Sequence, residues 1–234
     1  MSLAFTLLPF LCALSVLGGE MFLGVAKIWP FTYLETDSST LRMLAKPRLI
    51  LASGSPRRQE LLRKAGIEFE VFPADIAEDR NPGEVPLDYA LRMAKEKALK
   101  VAAQFPNDYI LGADTIVVVG DQVLAKPRDD QDAERMLTML SGRGHHVTTA
   151  VSLIAPGGHP ETRTCTTAVY FRALDKQEIQ NYVASGEPLD KAGAYAIQGG
   201  AAPWVVRLEG DHSNVVGLPV PLVAEMLRRH GFKS

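Results

Sequence analysis

Three short stretches of this 234-residue chain carry residue types that could do chemistry together. The first is Ser53-Gly54-Ser55-Pro56-Arg57-Arg58, which follows the apolar run Arg48-Leu49-Ile50-Leu51-Ala52. Small residues there let a backbone approach a ligand. Ser55-Pro56 places a cap and a first-turn proline at a helix start, and two arginines fall in the first helical turn. Helix N-termini present free N–H groups and the positive end of the dipole to anions. Arginines at that end are repelled by the dipole, a conflict that is relieved when a polyphosphate lies between them. The Gly-x-x-x-x-Gly-Lys pattern of a Walker A loop is absent. A capped helix with two solvated arginines is the plain alternative.

The second stretch is Gly112-Ala113-Asp114-Thr115, between the apolar pieces Ile110-Leu111 and Ile116 to Val119. A carboxylate directly after an apolar strand lies where α/β sheets place their ligands. Asp114 there can bind Mg²⁺ or take a proton from an attacking water, although Asp and Thr also serve as ordinary turn residues. The third stretch, Asp190 to Gly199, is too polar for a core strand and too rich in small residues for a plain surface loop. Within it, Gln198 offers a paired donor and acceptor to a base edge.

Around these stand single residues whose chemistry is less specific. Lys97, on the polar side of a long helix, and Lys126, in the Lys126-Pro127-Arg128 loop, are phosphate contacts or solvated charges; for a lone lysine the solvated face is the commoner state. Glu78, in the acidic Glu78-Asp79 loop, could hold a metal ion. His145 and His146 are adjacent and point to opposite faces of a strand, so they read as structural.

The elements that must position these residues are legible from periodicity. Arg48 to Ala52 reads as a buried strand, Ser55 to Gly66 as a helix with Leu61, Leu62 and Ala65 inward, and Phe69 to Phe72 as a strand again. Strand, helix, strand in so few residues points to a βαβ-like unit. A longer helix carries Leu87, Leu91, Ala94, Ala98, Val101 and Phe105 on one face. Asp129 to Leu140 is a further helix, ended by Gly142. Val147 to Ala155 and Thr166 to Arg172 read as antiparallel strands across Pro156-Gly157-Gly158. Asp175 to Ala184 is helical, Trp204 to Leu208 a strand, and Pro219 to His230 a closing helix. The sum is an α/β protein with a mixed, twisted sheet flanked by helices, in two lobes around a cleft.

Composition bounds the function classes. Apolar residues make up 47% and charged residues 22%, and the formal net charge is −2. Nothing global points to nucleic acid or to an anionic membrane. Cys12 and Cys165 form neither a disulfide framework nor a zinc spacing, which suits a reducing, cytoplasmic setting. Leu3 to Gly19 is almost wholly apolar, but it falls short of the ~20 residues of a spanning helix. It has no Lys or Arg before it, so the n-region of a secretory signal is missing. Thr32 to Thr40 reads as polar linker. Residues 1–45 are expected to be an extension outside the fold, with Met43 a natural start, and residues 46–234 to form the domain.

Taken together, the motifs resemble the Maf family of house-cleaning nucleotide pyrophosphatases. The matching stretches are Ser53 to Arg58, Gly112 to Thr115, Lys126-Pro127, Leu140-Ser141-Gly142, Asp190 to Gly199 and Gly217-Leu218-Pro219, in the family's order and separation. The resemblance runs from about Leu49 to Phe232. It implies a fold like that of the Maf and inosine triphosphatase proteins. The activity it implies is hydrolysis of a nucleoside triphosphate to the monophosphate and pyrophosphate, with Mg²⁺ or Mn²⁺. The family's proton-accepting carboxylate falls on Asp114. Triphosphate-binding positions fall on Ser53, Arg57, Arg58, Lys97 and Lys126. An acidic residue implicated in activity falls on Glu78, which with Asp114 is the candidate metal ligand, and substrate choice falls on Arg57, Thr115 and Gln198. Asp114-Thr115 and the Asp190 to Gly199 pattern look like the branch acting on dTTP and UTP, although Ala196 stands where many relatives have glycine. The resemblance also suggests a homodimer.

Two other readings stay open on sequence. One is a nucleotide-responsive interaction protein affecting cell division, as the family's older septum-related name suggests; such a module would need no Asp114. The other is a nucleotidyltransferase, which would need an acceptor site, and the sequence offers none.

Overall fold

Leu49-Ile50-Leu51 is buried throughout, as a strand covered on both faces must be. In a computed structural model that describes residues 46–233, this strand, β1 (Leu49–Leu51), pairs in parallel with β2 (Glu70–Val71) and with β3 (Tyr109–Val119). Helix α1 (Pro56–Lys64) makes the crossover between β1 and β2, so the expected βαβ unit forms. The expectations placed on residues 1–45, including the apolar run, Cys12, the linker and the domain boundary, lie outside the described residues.

The rest of the sheet is antiparallel. β4 (Gln122–Leu124) turns back on the end of β3, and β5 (Gly144–Ile154) pairs along almost all of β3's other edge. β6 (Glu161–Phe171) and β7 (Val205–Glu209) extend it outward, giving the order β2-β1-β3-β5-β6-β7 with β4 off this path. Helices α2 (Pro86–Ala102), α3 (Asp130–Leu140), α4 (Lys176–Ala184), α5 (His212–Val216) and α6 (Val220–Arg229) flank it. This is the mixed, helix-flanked α/β sheet that the sequence predicts.

One expectation is corrected. Gly112-Ala113-Asp114-Thr115 does not separate two strand pieces; it is the middle of a single strand of 11 residues. Continuous pairing of Ile110 to Val118 with β5 carries the strand through. The small residues there serve packing instead. A Cβ on Gly112 would collide with the Ala94 carbonyl and lie 2.8 Å from Ala98 N, so α2 rests directly on the strand backbone.

The core is built of several hydrophobic clusters, three of which frame the middle of β3. Leu49, Leu51, Leu62, Leu111 and Val151 pack with Val223 and Met226 of α6, while Ile50, Ile110 and Ile154 pack with Ala98 and Val101 of α2. A larger cluster joins Val117, Leu124, Val147, Val169 and Phe171 to Met136 and Leu140 of α3 and to Tyr182 and Val183 of α4. Asp114 and Thr115 fall on the stretch of β3 between Ala113 in the first group and Val117 in the larger cluster.

Candidate active site

β3 is incompletely paired where the sequence places its carboxylate. On the β1 side, pairing stops at Leu111, and β4 resumes it only at Val117. Between those points the strand edge is open, and a cleft of about 630 Å³ forms there. The loop after β1, the Glu78 segment, the Lys126 loop and the Asp190 to Gln198 segment all line it. All the expected site residues therefore converge: Ser53, Arg57, Arg58, Glu78, Lys97, Asp114, Thr115, Lys126 and Gln198.

Successive residues of a strand point to opposite faces. Asp114 faces α2, as Gly112 does two residues earlier, and the close approach of α2 at Gly112 delivers Lys97 to it. Lys97 Nζ donates to Asp114 Oδ1 at 2.8 Å and pairs with Glu78 Oε1 at 2.7 Å. Lys97 is buried, so of the two states left open by its place on the helix, phosphate contact or solvated charge, the solvated one is not what forms. Helical spacing shows which face of a helix a lysine occupies; it does not show which strand that face meets. Lys126 remains exposed, with Nζ 3.8 Å from Glu78 Oε2.

The two carboxylates on Lys97 are tuned apart. Burial pushes the Asp114 carboxyl up, and the nearby Lys97 and Arg58 charges only partly offset this. Burial works against the Glu78 charge as well, but the hydrogen bond to Lys97 and the charges of Lys97 and Lys126 outweigh it, holding Glu78 below the ordinary carboxylate range. Such a split suits one proton acceptor beside one permanent anion. Glu78 is itself held from α2: Tyr89 Oη donates to its carbonyl at 2.9 Å, and Arg92 donates to Asp79 O at 2.9 Å while pairing with Glu84 at 2.6 Å. Sequence reasoning missed Tyr89, Arg92 and Glu84, because nothing in their spacing signals that they grip a loop.

Thr115 faces away from Lys97, toward Arg58. The Arg58 guanidinium donates to Gly217 O at 2.9 Å, Ser53 Oγ at 3.0 Å and Thr115 Oγ1 at 3.2 Å. One side chain thus ties the loop after β1 to mid-β3 and to the turn after α5, and its planar fork suits that task. Thr115 Oγ1 is also 2.9 Å from Thr149 Oγ1 of β5. Three of the five Arg58 N–H groups are engaged in this way, which leaves two for a ligand. Burial lowers the Arg58 pKa, with the Asp114 and Glu78 charges opposing the shift.

At the start of α1, Ser55 occupies the cap position but its side chain makes no capping bond, and no acidic residue lies in the first turn. Ser55 N donates instead to Ser53 Oγ at 3.3 Å. Arg57 pairs across the cleft with Asp190 at 3.8 Å.

Asp114 and Glu78 are the two carboxylates that could hold a hard divalent cation, and in this structure both pair with Lys97. Among the described residues no group of three or more His, Cys, Asp or Glu converges. Mg²⁺ is commonly held by one or two carboxylates plus substrate phosphates, not by an all-protein cage. His145 and His146 part as expected: His145 is buried against Tyr195 at 2.8 Å, and His146 is exposed. Among the described residues, no helix is long and apolar enough to cross a membrane.

Residues 48–230 match the family described as Maf-like protein. A dTTP/UTP pyrophosphatase of Koribacter versatilis is 53% identical over 183 residues, covering 78% of this chain and 94% of that protein. The dTTP/UTP pyrophosphatase of Geobacter sulfurreducens is 49% identical over 189 residues, covering 80% and 99%. Among solved structures, the Staphylococcus aureus Ham1 protein aligns with a TM-score of 0.43 at 14% identity, over 77% of this chain and 98% of that one. With a family match across most of its length and relatives at about half identity over nearly their whole chains, this protein belongs to the Maf-like family.

Proposed function

We propose that this protein hydrolyses nucleoside triphosphates, dTTP and UTP above all, to the monophosphate and pyrophosphate. The observation that carries the reading is the buried Asp114 carboxylate, raised in pKa and held by Lys97, in a cleft that is otherwise basic at its phosphate end. Its substrate class is supported by relatives of about 50% identity that are dTTP/UTP pyrophosphatases.

Asp114 accepts a proton from the water that attacks the α-phosphorus. The new P–O bond forms as the α–β anhydride bond breaks, and pyrophosphate leaves with the electron pair. Arg57, Lys126, the free N–H groups at the start of α1 and the spare donors of Arg58 stabilise charge as it moves onto that leaving group. Lys97 holds Asp114 and Glu78 in place. A Mg²⁺ or Mn²⁺ ion held by Asp114 and Glu78 would supply further charge neutralisation to the phosphates. Arg57, Thr115 and Gln198 are assigned to substrate choice, with Gln198 reading the base edge. We further propose a homodimer acting in the cytoplasm.

A panel of triphosphates assayed for pyrophosphate with Mg²⁺ or Mn²⁺ tests this reading. UTP and dTTP are expected to be turned over well ahead of GTP with no added acceptor. Comparable turnover of GTP would contradict the substrate assignment, and a requirement for an acceptor would point to nucleotidyl transfer.

A further inference from the structure

The segment that carries Gln198 reaches the cleft without regular structure to support it. Two short 3-10 turns, Glu187–Asp190 and Ala192–Ala194, lead into it. Gly193 and Ala194 follow one another in the left-handed region, at φ 73 and φ 60, and Ala194 is the one non-glycine with positive φ among the described residues. Such a conformation persists only where the surroundings over-determine it.

Gly193 N donates to Ala125 O at 3.1 Å and Ala194 N to Lys191 O at 3.0 Å, and beyond them two side chains outside the cleft hold the segment. Tyr182, on α4, accepts from Ala196 N at 3.1 Å and donates to Glu187 Oε1 at 2.9 Å. The other Glu187 oxygen accepts from Gly200 N at 3.1 Å. Gln198 is therefore bracketed on both sides, two residues away in each direction, by one connected pair of side chains. The fit leaves no slack. A Cβ on Gly199 would collide with the Glu187 carboxylate, and one on Gly200 would lie 3.0 Å from the Tyr182 ring. Tyr182 is buried, with its ring 4.8 Å from Trp204, so the anchor cannot drift. The Gln198 side chain is exposed, and among the described residues no hydrogen bond engages its amide. Its aim is thus set by the backbone that Tyr182 and Glu187 hold.

We propose that Tyr182 and Glu187 are positioning residues for nucleobase selection, acting through the Ala196 to Gly200 segment. The inference rests on the reading of this cleft as a nucleoside triphosphate site. Neither residue touches the phosphate end, so their effect belongs to the base and not to the bond that breaks.

The test compares wild type, Tyr182→Phe and Glu187→Gln on UTP, CTP, GTP and ribose 5-triphosphate, which has no base. Tyr182→Phe keeps the ring packing and removes only the hydroxyl, and Glu187→Gln keeps the side-chain length. Each variant is expected to raise KM for UTP and lower the UTP preference by about five- to tenfold, the size of one lost hydrogen bond, with kcat nearly unchanged. The double variant is expected to exceed either single variant but to fall short of their product, because the two residues share one bond and each also holds the segment by one of its own. Turnover of ribose 5-triphosphate should not move. Unchanged selectivity, or equal slowing of ribose 5-triphosphate and UTP, overturns the proposal. If a variant does not fold, Gly199→Ala replaces it, since displacing the same segment must shift selectivity in the same way. Wild-type protein that turns over no triphosphate overturns the hydrolytic reading itself, a result distinct from active variants with unaltered selectivity.

Discussion

Lys97 and Asp114 form an ion pair that is buried on both sides, with Nζ 2.8 Å from Oδ1 and the two side chains only 8% and 10% exposed. A pair so enclosed costs desolvation that its attraction offsets only in good geometry. Its stability value is therefore small, and under the proposed function its value to the site is control of the proton on Asp114.

Removing Lys97 takes away the largest opposition to the burial that raises Asp114. Lys97→Met is expected to move the acid limb of the pH–rate profile upward, because the carboxylate must be ionised to accept a proton. In wild type the limb is expected above the ordinary Asp range, because burial raises the Asp114 carboxyl. A profile of kcat/KM against pH for both proteins checks the direction.

Arg58 joins three segments through one fork. Arg58→Lys keeps the charge and loses the geometry, so it is expected to cost about 1–3 kcal/mol of stability and at least tenfold in kcat/KM. Urea melts and steady-state kinetics measure the two losses.

Gly112 allows α2 to lie on β3, and that contact sets the reach of Lys97. Gly112→Ala must push the helix outward. About 1–3 kcal/mol of destabilisation is expected, together with lost activity, although the site residues are all still present. Thermal unfolding beside a pyrophosphate assay shows whether both fall together.

His145 provides a pH test that is independent of catalysis. Burial, with a smaller contribution from His146, holds its pKa down to about 4, against 6.5 in the unfolded chain. As pH falls, the unfolded chain takes up the proton first, so this stabilisation is intact above 6.5 and is lost between 6.5 and about 4. The loss amounts to about 3 kcal/mol, at roughly 1.4 kcal/mol per unit. Urea stability measured across that window should fall less steeply in His145→Asn.

Much of this was legible in the sequence, for identifiable reasons. The loop from Ser53 to Arg58 announced itself through arginines at the wrong end of a helix, and the βαβ unit through its periodicity. Asp114 stands out in the sequence as a carboxylate beside small residues, but local spacing puts it after a strand and the fold puts it inside one. Gly112 and Ala113 look like a break to a local reading and are in fact the seat of α2. Spacing leaves Lys97 open between a phosphate contact and a solvated charge, because it cannot show that its helix face meets Asp114. The grips of Arg92 on the Glu78 loop and of Tyr182 and Glu187 on the Gln198 segment join residues 8 or more positions apart or separated by turns, with no periodic signature.

The proposed hydrolysis requires Asp114 to accept the proton of the water that attacks the α-phosphorus. Pyrophosphate released from UTP by wild type and by Asp114→Asn, at matched folding and saturating Mg²⁺, measures this directly. A folded variant slowed by a factor of about 10² or more is expected, the usual weight of a positioned general base. Pyrophosphate release near the wild-type rate from Asp114→Asn would contradict that role.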